Sequence, residues 1–319
     1  MRAAATRVAR LAVAGGLTAY ILWKSHPREV LAAAAGMDWG PVVVAVVLVL
    51  LDRALMAYRW VVLLYTLEPV DRPPLRDILR VFFISTFLGS FLPSVGGDAV
   101  RAYGIAKLRM RIGDAVASVF MDRMLGIASL LVMALLGLAL ARELAGNWII
   151  LGSLSAAAAA CLVTLFLVFS TRAPLSVSAA LTRLPAAVQH AGHGLLEAIQ
   201  RYAAHHARLA KVLVCSIAVQ ALRILQAYYL GRGLGIDAPA STYFAFLPLI
   251  LLVMLLPVTI NGFGTGQAAF VWFFARAGVA AAPAFALSLL FIGLGVIGNL
   301  PGGILYALGD DAPGKRASL

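Results

Sequence analysis

The chain has 319 residues, of which 62% are hydrophobic and 13% charged, about half the charged fraction of an ordinary soluble protein. This composition excludes a soluble domain and predicts a single membrane domain over 1–319 that crosses the bilayer several times. The net charge of +12 raises the question of nucleic-acid binding. The basic residues are scattered between apolar stretches without an aromatic-interleaved patch, so we expect no nucleic-acid partner.

Six apolar stretches are long enough for a helix to cross about 30 Å of hydrocarbon. The first follows several arginines and also resembles a signal peptide, but no small-residue cleavage pattern comes after it, so we predict a retained helix. The six predicted spans are 7–23, 40–64, 113–141, 147–169, 209–231 and 281–308.

Two further apolar regions, 75–108 and 241–276, are each interrupted by a Leu-Pro step followed by glycines and a polar residue. Irregular backbone at membrane depth is tolerated only where protein buries it or where it lines a cavity. Paired interruptions in two halves of a membrane protein also point to a transport site. We therefore predict two re-entrant helical hairpins, each with two helical pieces around its turn.

Positive charge orients this arrangement, because Lys and Arg concentrate in cytoplasmic loops. With both termini in the cytoplasm, 17 basic residues lie inside and five outside, while Arg53, Arg59, Arg123 and Arg223 lie within spans. The hairpins then enter from opposite faces, which predicts an inverted repeat. The fold class is an all-α polytopic membrane protein with about six transmembrane helices and two oppositely entering hairpins.

The segment 174–208 differs from the rest because charged residues and four histidines are mixed with leucines and alanines. It predicts a cytoplasmic amphipathic helix on the membrane surface, attracted to anionic headgroups. The histidines lack a supporting ligand cluster, so a solvated polar face is favoured over a metal site.

Arginines within spans are functional candidates, because each costs about 2.5 to 3.5 kcal/mol at the bilayer centre on insertion scales. The four in-span arginines face two in-span acids, Asp52 and Asp122, which leaves a positive interior suited to an anionic headgroup. The alternative is that both aspartates pair with arginines of neighbouring helices and only hold the bundle together. Adjacent helical residues do not face each other, so Asp122 and Arg123 are not expected to pair. Arg53 and Arg59 are also candidates for snorkelling towards an interface.

The first break combines Gly96 and Gly97, which permit a sharp turn, with Asp98, a candidate N-cap. The spacing places Asp98 and Arg101 on one helical face. A helix that begins inside the membrane directs its positive end at whatever lies there, which suits a phosphate.

The second break is neutral. It offers glycine backbone at Gly264 and hydrogen-bonding groups at Asn261, Thr265 and Gln267. Close packing by small residues is the alternative for both breaks. The sequence contains no HExxH, GxSxG or comparable catalytic pattern, so we expect neither an enzyme nor a cofactor or metal.

Four segments together resemble the lysylphosphatidylglycerol synthase transmembrane (flippase-like) family, and the resemblance covers nearly the whole chain in order. Family members often have Glu at the positions of Asp98 and Gln267; the first difference keeps the charge and the second loses it. The second argues against a carboxylate role at the second hairpin, such as proton coupling. The segments are 87–103 (FLGSFLPSVGGDAVRAY), 122–126 (DRMLG), 223–235 (RILQAYYLGRGLG) and 257–267 (PVTINGFGTGQ).

The resemblance implies a protein that moves or handles anionic or polyprenyl-linked lipids in a bacterial inner membrane, here as a stand-alone membrane domain without the synthase domain. We expect a flippase in which the headgroup passes through a polar cavity between the two hairpins. Arg101, Arg123 and Arg223 would bind phosphate, and Asp98 would orient them. The alternative is an accessory subunit that presents a lipid to a synthase or glycosyltransferase. The lipid, the direction of movement, the energy source and the oligomeric state, including a homo-oligomer, stay open.

Overall fold

A computed structural model describes residues 28, 35–67, 72–92, 96–108, 110–140, 146, 148–170, 186–255 and 264–308. Over these residues the chain is helical and contains no strand, which confirms the all-α prediction. The ten α-helices of this part of the chain are α1 (Trp39–Thr66), α2 (Leu75–Gly89), α3 (Gly96–Ala106), α4 (Ile112–Leu140), α5 (Trp148–Phe169), α6 (Ala186–Arg201), α7 (His206–Gly233), α8 (Ala240–Leu255), α9 (Thr265–Ala275) and α10 (Ala281–Ala307).

Four of these helices, α1, α4, α7 and α10, are long and apolar enough to cross a membrane. They coincide with four predicted spans, 40–64, 113–141, 209–231 and 281–308. Helix α1 has 28 residues, and at about 1.5 Å per residue it exceeds the hydrocarbon thickness. The chain is therefore a multi-pass membrane protein.

Two of the six predicted spans are not among these four helices. The span 147–169 falls on α5, whose apolar part, Ile150–Thr164, belongs to the shorter apolar helices together with α8. The span 7–23 lies outside the described residues. The count of six crossings stays a prediction.

Each interrupted region contains two helices, as the sequence predicts. Helix α2 packs against α3 in the first region, and α8 packs against α9 in the second. Pro93 and Asn261, which belong to the two breaks, lie outside the described residues. That each helix pair enters and leaves the membrane on one side stays a prediction.

The contacts divide the chain into two compact units, and the boundaries fall within α1, α4, α5, α7 and α10. The first unit comprises Met1–Arg53, Leu130–Ala157 and Ala218–Gly298, and the second comprises Ala54–Ser129, Ala158–Ile217 and Asn299–Leu319. The helix pair α2 and α3 belongs to the second unit, whereas α8 and α9 belong to the first.

The core of the first unit is rich in aromatic rings. Tyr243 of α8 lies edge-on to Phe274 of α9 with ring centroids 5.1 Å apart, and Phe270 stacks on Phe274. Large flat side chains bury much apolar area for few rotatable bonds, so this cluster fixes α9 on α8.

The core of the second unit gathers side chains from α1, α2, α3 and α4 and from the end of α6. Trp60, Phe82 and Ile105 are fully buried there, as is Tyr202 in the 3₁₀ turn Tyr202–Ala204 that follows α6. The hydroxyl of Tyr202 donates a hydrogen bond of 3.1 Å to the carbonyl oxygen of Leu63. The turn that follows α6 is thus packed tightly against α1.

The predicted amphipathic segment 174–208 contains α6 and the start of α7. Leu196, Ala198 and Ile199 are buried on one face of α6, while Glu197 is exposed. Arg201 at its end forms an ion pair with Asp114. That this helix contacts lipid headgroups stays a prediction.

Candidate functional site

A buried ion-pair cluster joins three helices of the second unit. Asp122 of α4 contacts Arg59 of α1 through Oδ1 and Nε at 2.7 Å, and it contacts Arg101 of α3 through Oδ2 and Nη1 at 3.3 Å. All three side chains are less than one-tenth exposed. Because both carboxylate oxygens are used, Asp122 is a fixed centre that holds α1 and α3 on α4.

Hydroxyl groups complete the hydrogen bonding of this buried-arginine cluster, Arg59, Arg101 and Asp122. The Nη1 of Arg59 donates to Ser216 Oγ at 2.8 Å. Arg101 donates from Nε to Ser85 Oγ and from Nη2 to Thr86 Oγ1, both at 3.3 Å. Buried charges are tolerated when paired and hydrogen-bonded, which is the condition that these hydroxyls meet.

The guanidinium of Arg101 also lies over two aromatic rings. Its Cζ is 4.7 Å from the ring centroid of Phe82 and 5.3 Å from that of Trp60. Cation–π contacts of this kind gain strength where water is excluded. Arg101 is therefore held by charge, hydrogen bonds and packing together.

A second ion pair in the same unit has a different environment. Arg123 Nη2 lies 2.5 Å from Asp98 Oδ2, and the two side chains are 40% and 23% exposed. Asp98 is in the first turn of α3, and Arg123 is on α4. This half-exposed pair, Asp98 and Arg123, is accessible where the buried-arginine cluster is not.

The neighbours Asp122 and Arg123 contact different partners, which agrees with the expectation for adjacent residues of a helix. The N-cap prediction for Asp98 is wrong. Helix α3 begins at Gly96, so Asp98 lies inside the first turn and its carboxylate binds Arg123 instead. Asp98 and Arg101, although close on α3, contact different partners.

The glycines at the first break serve helix packing. A Cβ at Gly97 would lie 2.9 Å from the Cα of Gly89 and 3.2 Å from the carbonyl oxygen of Ser85. A Cβ at Gly96 would lie 2.6 Å from the Cβ of Leu92. The start of α3 therefore rests directly on the backbone of α2, beside Asp98.

The first unit has its own charged cluster, Asp52, Arg53 and Arg223. Asp52 is 1% exposed; its Oδ2 lies 2.8 Å from Arg53 Nη1, and its Oδ1 lies 3.4 Å from Arg223 Nε. Asp52 and Arg53 are neighbours on α1, so this contact departs from the rule that adjacent helical residues point apart. The length and flexibility of the arginine side chain allow it. Arg223 is 27% exposed.

Backbone carbonyls also contact this cluster and its helix. Arg53 Nη2 donates to the carbonyl oxygen of Gly295 at 3.4 Å. One turn along α7 from Arg223, Gln226 donates to the carbonyl oxygen of Leu48 at 3.3 Å. These contacts fix α7 and α10 against α1 within the first unit.

At the second break Gly264 and Gln267 are buried and contact each other. Gly264 has φ 86°, which favours glycine, and its N–H donates to Gln267 Oε1 at 2.5 Å. Gln267 thus caps α9, which begins at Thr265. Of the two other candidates in this region, Thr265 is partly buried at the start of α9, and Asn261 lies outside the described residues.

Sequence reasoning missed several contact residues of the second unit, namely Ser85, Thr86 and Ser216. No local signal identifies them, because each is a hydroxyl within an apolar helix. The cap at Gln267 was detectable, since a residue three positions after Gly264 has the spacing of a capping box.

Each cluster has one more arginine than aspartate. In the second unit Arg59, Arg101 and Arg123 face Asp98 and Asp122, and in the first unit two arginines face Asp52. In the second unit the surplus arginine is buried with Asp122, so the guanidinium groups that an anion can reach are those of the partly exposed Arg123 and Arg223. A guanidinium fits phosphate oxygens through paired hydrogen bonds. The arrangement suits anion binding.

Comparison with protein families gives a match over most of the chain. The model of the family described as "Lysylphosphatidylglycerol synthase TM region" matches residues 7–302. Comparison with curated proteins gives no match. The match spans nearly the whole chain, including the three membrane-length helices that carry cluster residues, α1, α4 and α7. The chain therefore belongs to the lysylphosphatidylglycerol synthase transmembrane-region family.

Proposed function

We propose that this protein is a lipid flippase or translocase. It moves a lipid with an anionic phosphate headgroup, either a phospholipid or a polyprenyl-linked or glycosylated lipid, across the membrane. The support is a family whose name refers to lipid synthesis, four helices of membrane length, and arginines at two places within those helices.

The observation that carries the proposal is the exposure of Arg123. Its side chain is 40% exposed, whereas Arg59 and Arg101 in the same unit are below one-tenth. A cation within an apolar helix is costly unless it has a partner or a function. Arg123 has a partner in Asp98, but that partner is itself partly exposed and leaves guanidinium surface for a phosphate.

Arg223 offers a comparable group in the first unit. It is 27% exposed and rests at 3.4 Å from Asp52, a longer and weaker contact than the one between Arg53 and Asp52. A phosphate could therefore bind Arg223 without breaking the shorter pair.

The energetic role of these arginines is to replace water around the headgroup. A charge moved from water into hydrocarbon pays a large desolvation penalty unless it is paired. Guanidinium groups within the membrane-length helices lower that barrier, while the acyl or prenyl tails stay in lipid. The protein needs no reaction chemistry for this task, and we propose that it is not an enzyme.

The cellular setting follows from charge. We propose a bacterial inner membrane, which the family resemblance supports, with both termini in the cytoplasm, because most basic residues then lie inside. A lipid synthase or glycosyltransferase is the proposed source of the lipid.

Reconstitution in liposomes tests the proposal. Labelled phosphatidylglycerol is placed in both leaflets, and its transbilayer movement is followed by quenching from outside. Loss of an arginine contact to an anion is worth about 1.5 to 3 kcal/mol. We therefore expect Arg123→Ala and Arg223→Ala each to slow movement about tenfold or more.

Each position has a matched control arginine near one end of the same helix. Arg111 precedes α4 and Arg232 ends α7, and both are exposed. Arg111→Ala and Arg232→Ala should move lipid at the wild-type rate. Unchanged movement in both Arg123→Ala and Arg223→Ala would overturn the role of these arginines. Lipid binding by the wild type without movement would favour the accessory, lipid-presenting role.

A further inference from the structure

The half-exposed pair suggests how a bound headgroup is released. We propose that Asp98 is an internal competitor of the lipid: its carboxylate occupies the position on Arg123 that a phosphate headgroup takes, and the ion pair opens and closes in each cycle. This inference rests on the proposed function and adds a specificity-determining residue to it.

The first support is the chemistry of the contact. A carboxylate and a phosphate present similar oxygens to a guanidinium, and Asp98 Oδ2 lies 2.5 Å from Arg123 Nη2. Both side chains are partly exposed, so a competing anion can reach the pair. An ion pair in such a setting is worth about 0.2 to 1 kcal/mol, little enough to open readily.

The second support is that Asp98 is held in place. Gly97, its neighbour, contacts the backbone of α2 at Gly89 and Ser85 so closely that a Cβ would not fit. The carboxylate therefore projects from a fixed backbone position on α3.

The third support is the occupancy of the neighbouring acid. Asp122 is adjacent to Arg123 on α4, but both its oxygens contact the buried arginines Arg59 and Arg101. Asp122 is thus held by the buried arginines and does not compete with the lipid for Arg123.

Removal of the competing carboxylate should strengthen lipid binding and slow lipid release. Asp98→Asn keeps the shape of the side chain but removes the carboxylate that competes with the lipid for Arg123. We expect phosphatidylglycerol to bind about 1.4- to fivefold more tightly, the range that an exposed ion pair allows. Because bound lipid leaves more slowly, transbilayer movement should slow.

The experiment titrates purified protein in neutral maltoside micelles with phosphatidylglycerol, and with diacylglycerol as a probe that lacks phosphate. Asp98→Glu restores the carboxylate and should return the affinity towards that of the wild type. Asp77→Asn is the matched control, because it removes an acid from the first turn of α2 in the same hairpin. It should not tighten binding. If Asp98→Asn fails to fold, Asp98→Ser removes the same charge and is measured in the same way.

The double variant Arg123→Ala with Asp98→Asn decides whether the effect passes through Arg123. We expect no gain over Arg123→Ala alone. Weaker or equal phosphatidylglycerol binding by Asp98→Asn, or tighter binding also in the Arg123→Ala background, would overturn the inference. These readouts are binding affinities, so a wild type that binds but does not move lipid would contradict the flippase proposal and leave the competition test intact.

Discussion

Two neighbouring residues of α4, Asp122 and Arg123, lie in different environments. Asp122 is buried and contacts two buried arginines, whereas Arg123 is 40% exposed and contacts a partly exposed aspartate. Successive residues of a helix point about 100° apart, which is enough to place one in the packed interior and the other at an accessible surface. Charged residues of one membrane helix can therefore have different roles, one in packing and the other at an accessible surface.

The difference also predicts different costs. Breaking a buried ion pair leaves an uncompensated charge and typically costs about 3 to 5 kcal/mol. Breaking an exposed pair costs at most about 1 kcal/mol. Stability measurements can thus separate the structural cluster from the half-exposed pair.

Asp122→Asn should have the largest effect on stability. It removes the carboxylate that Arg59 and Arg101 both contact within the buried cluster. We expect a loss of about 3 to 5 kcal/mol in the free energy of unfolding, measured by SDS titration in mixed micelles. A smaller loss of stability than that of Arg123→Ala would contradict the distinction between the buried-arginine cluster and the half-exposed pair.

Gly97→Ala should come next. The added Cβ would lie 2.9 Å from the Cα of Gly89, so α3 must move away from α2. Overpacking of this kind costs about 1 to 3 kcal/mol. Gly152→Ala, a helical position with open space around it, is the control and should be neutral or slightly stabilising. Equal stability of the two variants would contradict the close contact of α2 and α3.

Tyr202→Phe should cost about 1 kcal/mol, the usual contribution of one hydrogen bond. Burial, and then the nearby Asp114 carboxylate, raises the pKa of Tyr202 well above its usual value. A raised pKa means that the contribution of the neutral hydroxyl is present below about pH 10 and is lost only as the pH rises through the folded-state pKa. The cost of Tyr202→Phe should therefore be the same at pH 6 and pH 9. A cost that changes across this range would indicate that the group titrates in the folded state.

Arg123→Ala should change stability least, by less than about 1 kcal/mol, because its ion pair is partly exposed. The same variant should lose lipid movement. Asp122→Asn should therefore lose more stability than Arg123→Ala, whereas Arg123→Ala should lose more lipid movement relative to its loss of stability. A strongly destabilised Arg123→Ala would place Arg123 with the structural residues.

The sequence was sufficient to predict the helices that hydropathy governs. The stretch 113–141 coincides with Ile112–Leu140, and both interrupted regions contain the expected helix pairs, because runs of apolar residues and Leu-Pro breaks are local signals. The in-span arginines were recognised for the same reason.

The partners of those arginines were not predictable from local patterns. Arg59 and Asp122 are 63 residues apart in the chain, and only the packing of α1 on α4 brings them together. Adjacent pairing of Asp52 and Arg53 runs against the helical spacing rule, since side-chain length rather than backbone direction decides it. The exposure that separates Arg123 from Arg59 is likewise a tertiary property.

Mass spectrometry of the lipids that co-purify with the protein tests the central claim most directly. The wild type, Arg123→Ala and Arg111→Ala are purified from the same membranes in neutral detergent, and bound lipids are compared with the bulk composition. We predict enrichment of a phosphate-bearing anionic lipid in the wild type and in Arg111→Ala, and loss of that enrichment in Arg123→Ala. The same bound lipids in all three proteins, or none above the bulk composition, would contradict the account.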